Sequence, residues 1–238
     1  PNPPDDTRTL IAGSLRIQYR SHYDSQWLQE LLRDPDRRMA QPDFTILKPG
    51  RPGSATTVGY VEIDQRNIVI KRYDTKNAWH ALRRTVRRSR AENCWNFAGR
   101  LEKLGVTTAP SVAFIQEYVA TGLRGCSWYV MEYIDDGLIR LDSLKASAGN
   151  AASSMVQIIK MMTRLRDHHI SHGDMKATNL LVDETEDRVV LLDLDAMKEH
   201  FKSIKTRWIV EFKLRRNFAN LTKASWGFND DPSNMGCL

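Results

Sequence analysis

His168-His169-Ile170-Ser171-His172-Gly173-Asp174-Met175-Lys176-Ala177-Thr178-Asn179-Leu180-Leu181-Val182, with Leu191-Leu192-Asp193-Leu194-Asp195 behind it, decides how the rest of the chain is read. A lysine follows Asp174 two positions on, and an asparagine follows it five positions on. Then come an apolar strand-like run, a polar turn at residues 183–187, and a second apolar run ending in Asp193. Moving a phosphoryl group from ATP needs a base to orient the acceptor hydroxyl, a cation near the moving group, and oxygen ligands for magnesium. Asp174 suits the base and Lys176 the cation. Asn179 and Asp193 suit the metal, since a hairpin over 180–194 would bring both to one end of a ribbon. A lone His-Gly-Asp would be an ordinary loop; the whole run, at these offsets, is far more specific.

The arrangement resembles the catalytic loop and metal-binding aspartate of protein-kinase-like folds, with His-Gly-Asp in place of His-Arg-Asp. That resemblance implies an α+β, bilobal protein-kinase-like fold. Its expected parts are an N-terminal extension (1–43), an N-lobe (44–134) and a reduced C-terminal lobe (135–238).

Bulk properties agree without deciding. The chain has 238 residues and 41% hydrophobic content, enough for one sizeable core or two small lobes. A net charge of +6 suggests an anionic partner but does not choose one. The three cysteines, Cys94, Cys126 and Cys237, are widely spaced and form no metal-type pair. They are expected as reduced thiols in a cytoplasmic setting. No apolar run approaches a membrane span, and residues 1–6 lack signal-peptide character. Nucleic acid is not expected as a partner, because no aromatic residues interleave the basic ones as a binding platform.

Along the chain, residues 1–7 are rich in Pro and Asp and read as disordered. Residues 10–19 read as a strand. A helix carries Trp27, Leu28, Leu31 and Leu32, and Asp34-Pro35 ends it. Residues 44–73 read as three strands. Between the first two, Gly53 and Ser54 belong to a glycine- and hydroxyl-rich turn that can cradle phosphates, although Gly-Pro pairs mark plain turns too. Lys71, on the next strand, stands where kinases hold the α- and β-phosphates.

Residues 77–104 read as one long helix with a break near Ser89. It should supply the carboxylate that orients Lys71: Glu92, with Glu102 as the alternative. Arg83, Arg84, Arg87, Arg88 and Arg90 make its start basic, which suits either a solvated face or an anionic membrane surface. Strands are expected over 111–117 and 127–134. The second runs into an acidic link, where the backbone of Glu132 and Ile134 would meet adenine. Helices are expected over 139–146, 150–169 and 205–221. His172 reads as a support of the catalytic loop.

A narrower resemblance is carried by Arg88-Ser89-Arg90-Ala91, Trp95, Ala98, Leu101, Leu104-Gly105-Val106 and Pro110, with 172–179 and Leu192-Asp193-Leu194-Asp195-Ala196-Met197. Over about residues 44–222 the chain resembles the Kdo/WaaP family of lipopolysaccharide kinases, including InaA-like members. The resemblance implies ATP and Mg2+ as cofactors. It implies a heptose or Kdo of the lipopolysaccharide core glycolipid as acceptor, at the inner face of the bacterial inner membrane. Gly173 removes the arginine that reads a phosphorylated activation loop, and Asp195 replaces the glycine of Asp-Phe-Gly, which leaves open a third metal-ligating oxygen. No Ala-Pro-Glu segment follows, so a peptide substrate is poorly supported. Two other readings are a compact aminoglycoside- or choline-type kinase and an inactive pseudokinase scaffold.

Overall fold

The structure is a computed structural model that describes residues 3–50, 56–74, 88–119, 122–134, 137–143, 148–183 and 188–200. It divides into two compact units, Pro1–Asp136 with Asp193–Met197, and Gly137–Leu192 with Lys198–Leu238. Residues 1–43 therefore share a unit with 44–134.

The first unit is built on a seven-stranded antiparallel sheet of order β1-β2-β6-β7-β5-β4-β3. Its strands are β1 (Thr7–Ala12), β2 (Leu15–Arg20), β3 (Thr45–Lys48), β4 (Thr56–Ile63), β5 (Arg66–Tyr73), β6 (Ser111–Tyr118) and β7 (Arg124–Glu132). Helices α1 (Gln26–Arg33), α2 (Pro35–Met39) and α3 (Arg90–Lys103) accompany it.

Alternation along β5 sets the two faces. Ile68 and Ile70 join the core that contains Leu28, Leu31 and Leu32 of α1, with Ile17, Ile115, Trp128 and Val130. Val69, Lys71 and Tyr73 point the other way. The β4–β5 hairpin closes on Asp64 and Gln65, with φ of 49° and 62°. Two left-handed residues give the type I′ twist that tight hairpins need.

Several local expectations are corrected. Residues 10–19 are not one strand: Gly13, at φ 58°, turns the chain between β1 and β2. The Pro-rich start is structured from Pro3, because a Cβ on Gly99 of α3 would lie 2.5 Å from Pro4 N. That close approach is tertiary and leaves no local signal. Pro35 ends α1 but also starts α2, since a fixed φ suits the first helical position. Asp34 caps α2 by accepting from Arg37 N at 2.9 Å. From α2, Asp36 accepts from Arg72 Nε at 2.8 Å and Trp128 Nε1 at 3.0 Å, which fastens the N-terminal segment to the sheet.

The second unit holds α4 (Ala148–Asp167) and a small sheet of order β11-β10-β8, namely Val189–Leu191, Leu180–Val182 and Ile139–Arg140. A further pair joins β9 (Ile170–Ser171) to β12 (Lys198–Glu199). The expected helix over 139–146 is a strand followed by a 3-10 turn over Leu141–Ser143, because Ile139 pairs with Val182 and Leu141 is fully buried. The expected helix over 205–221 lies outside the described residues.

Leu31 is fully buried against the sheet. Leu31→Ala should lower the unfolding free energy by about 2–5 kcal/mol, read from denaturant midpoints.

Candidate active site

In the second unit Asp174, Lys176 and Asn179, expected as catalytic-loop residues, lie in hydrogen-bonding contact. Gly173, at φ 83°, turns the chain between His172 and Asp174. His172 is fully buried, and its Nε2 lies 2.9 Å from Leu192 O, a contact that requires the proton on Nε2. Met175 and Ala177 are buried and anchor the loop from below. Lys176 Nζ donates to Asp174 Oδ2 at 2.9 Å, and both side chains are about half exposed.

Asn179 does two things. Its Nδ2 donates to Asp174 O at 2.9 Å, while its backbone carbonyl accepts from Leu192 N at 2.9 Å. The amide nitrogen is thus used inside the loop, and Oδ1 is the side-chain atom suited to a cation. Hairpin pairing of Leu180 with Leu191 through Val182 with Val189 fixes this end of the ribbon.

In the first unit Lys71 Nζ donates to Asp193 Oδ1 at 3.0 Å. Asp193 sits in the left-handed region at φ 59°, which an aspartate tolerates better than most residues. Asp195 pairs with Arg90. Burial pushes the Asp195 carboxyl above its ordinary range, the neighbouring Asp193 adds to that, and Arg90 and Lys71 oppose it.

Glu92 does not meet Lys71. It lies in the first turn of α3, where its carboxylate reaches Arg124 at 3.3 Å and Arg88 at 3.9 Å. The alternative, Glu102, pairs with Arg20. The buried α3 side chain near Lys71 is Cys94, whose thiol lies 3.6 Å from Tyr73 Oη. Burial pushes that thiol up to about 12. The helix thus presents no carboxylate to the lysine among the described residues, and Asp193 takes that place.

The other nucleotide-side expectations divide. Glu132 N–H donates to Pro110 O at 2.9 Å, so a purine could meet only its carbonyl. The Glu132 side chain is paired with Arg66 at 2.8 Å. Ile134 ends the described part of this link and is half-buried. Gly53, Ser54, Arg83, Arg84 and Arg87 lie outside the described residues. Arg90, expected in a surface patch, is exposed, and its guanidinium is shared between Asp195 and Thr56. A cavity of about 330 Å3 near the start of β6 is lined by Glu102 and Pro110 but not by Lys71, Glu92, Glu132 or Ile134; Arg20 in its wall is already paired with Asp6 and Glu102.

Sequence reasoning named Arg90 only as part of a basic helix start and a family motif, and did not name Asn93. Asn93 Nδ2 donates to the carbonyls of Asp195 and Met197, both at 3.0 Å, and of Leu194 at 3.4 Å. The available signal was their spacing of three on one helix, which puts both on one face.

The donor set fits the groups that phosphoryl transfer uses. The first unit offers a hard oxygen atom at Asp193 and a cation at Lys71, and the second unit, taken by itself, offers the same pair of groups at Asn179 and Lys176. This is a kinase-like α+β protein. It belongs to the lipopolysaccharide kinase (Kdo/WaaP) family, whose model matches residues 49–230. Among solved structures, "WaaP in complex with acyl carrier protein" is similar over 93% of this chain and 90% of that chain, at 14% identity and a TM-score of 0.51. At that identity the likeness shows the fold alone. No curated protein matches the sequence.

His172→Ala removes the donor to Leu192 O and leaves a hole beneath the loop. Thermal unfolding should show a loss of about 1–3 kcal/mol from the missing hydrogen bond alone.

Proposed function

We propose that this protein transfers the γ-phosphoryl group of ATP to a sugar hydroxyl, heptose or Kdo, of the lipopolysaccharide inner core. The observation that carries the reading is the loop in which Asn179 braces Asp174 while keeping an oxygen for a cation. Membership of the lipopolysaccharide kinase family supports the acceptor class. No described helix is long and apolar enough to cross a membrane. Work at the inner face of the inner membrane would then rest on peripheral association, and the exposed Lys198 is one cation that could meet glycolipid phosphates.

Asp174 accepts the hydrogen bond of the acceptor hydroxyl, aims its oxygen at the γ-phosphorus, and takes its proton as the new O–P bond forms. The bond from the γ-phosphorus to the β–γ bridging oxygen breaks, and ADP leaves with that oxygen. Lys176 balances charge on the moving group. The ion pair it makes with Asp174 also holds that carboxylate in place before substrate arrives. Lys71 serves the α- and β-phosphates. Asn179 and Asp193 would hold magnesium, which when bound neutralises charge on the β- and γ-phosphates.

Two experiments test this. Mass spectrometry of dephosphorylated core glycolipid incubated with protein, magnesium and ATP should show one added phosphate, lost in a folded Asp174→Ala variant. Efficient phosphorylation of an aminoglycoside, with none on the glycolipid, would replace the acceptor. Separately, Asp193→Asn and Asn179→Ala should each raise the magnesium concentration needed for half-maximal turnover by about 10–100-fold. Titrations matching the parent in both variants would remove the proposed ligands.

A further inference from the structure

The first turn of α3 carries two side chains aimed at the segment that contains Asp193. Arg90 gives Nη1 to Thr56 Oγ1 at 3.0 Å and Nη2 to the Asp195 carboxylate, and its guanidinium carbon lies 4.9 Å from the Tyr73 ring centroid. It is thereby anchored to the start of β4 and the end of β5 as well as to Asp195. Asn93, one turn on, holds the carbonyls of Leu194, Asp195 and Met197 with one amide group. Asp193, just before them, is at φ 59° and bonded to Lys71 at 3.0 Å.

In the ATP reading the Lys71–Asp193 pair has to open. The lysine goes to nucleotide phosphates and the carboxylate to a cation. At that moment Asp193 loses a tether, and its left-handed backbone conformation needs support from its surroundings. Arg90 is the cation that stays with Asp195. The Asn93 contacts are between neutral groups and do not depend on where Lys71 goes.

We propose that Arg90 and Asn93 are positioning residues that clasp residues 193–197 to α3, so that Asp193 keeps its place after Lys71 has released it. The inference rests on the ATP-kinase reading above. It reverses the polarity of the link expected between helix and strand. There a helix carboxylate would hold the strand lysine; here a helix cation and amide hold the segment bearing the metal aspartate.

The test measures nucleotide affinity with and without magnesium for Arg90→Gln, Arg90→Lys and Asn93→Ala, alongside backbone amide exchange at 194–197 in the nucleotide-free protein. Arg90→Gln and Asn93→Ala should lose about 10–100-fold in affinity for magnesium-ATP while metal-free ATP affinity stays within about twofold. Arg90→Lys should recover part of the loss. Exchange at 194–197 should accelerate in Arg90→Gln and Asn93→Ala. Equal losses with and without magnesium would mean a general packing role and overturn the proposal, as would affinities unchanged in both. If the parent protein binds no nucleotide, the kinase reading fails, and exchange decides the clasp by itself. Faster exchange in the variants then supports it, and exchange at the parent rate overturns it.

Discussion

A lysine and an aspartate neutralising each other at 3.0 Å set the terms for the first unit. Lys71 is mostly buried, on a strand face shared with Val69 and Tyr73. A cation there needs a partner, because a desolvated charge left alone is strongly destabilising. The usual device would be a carboxylate from the adjacent helix. Cys94 occupies the buried helix position near the lysine, and it is held neutral by burial. The partner therefore has to come from elsewhere, and Asp193 supplies it. Its segment must then be held against α3, which is what Arg90 and Asn93 do.

What the sequence made legible divides along the range of the interactions. The loop over 172–179 could be singled out because its parts lie within a few residues of one another. The hairpin over 180–194 was read from strand alternation and its polar turn, whereas the Asp174–Lys176 contact and the Asn179 brace are local contacts that the sequence reading did not name. The strands β4 to β7 were readable for the same reason. The partner of Lys71 was not. Glu92 had a suitable distance in sequence, but its direction depends on where the helix begins, and α3 starts only after the Ser89 cap. From that start Glu92 points to Arg124 on β7. Sequence offset fixes which turn a residue is on, not which neighbour the turn meets.

The N-terminal residues illustrate the same limit from the side of packing. Their Pro- and Asp-rich start suggested a loose extension. Instead β1 and β2 continue the sheet through β6, and α1 covers one of its faces with three leucines. Gly99 lets Pro3 and Pro4 approach the back of α3, and Asp6 pairs with Arg20. Proline there restricts a chain that is then fixed by long-range contacts, so low local propensity does not mean absence of order. The consequence for the site is direct. Asp36 of α2 bonds Arg72, the residue next to Lys71, so the N-terminal segment helps define the strand that carries the lysine.

The second unit reaches economy by another route. One asparagine braces the loop with its nitrogen and leaves its oxygen as a separate acceptor. An aspartate at 179 would retain an oxygen ligand but could not donate to the Asp174 carbonyl, and a glutamine would move both atoms by a methylene. The side chain whose oxygen suits a cation is thus also the one that fixes the Asp174 backbone, so under the proposed function cation binding and acceptor alignment would be coupled through a single amide. Lys176 adds the complementary constraint by holding the Asp174 carboxylate from the solvent side. Brace and cation act on different atoms of the same residue, one on its carbonyl and one on its carboxylate, and together they restrict both its backbone and its side chain before any substrate arrives.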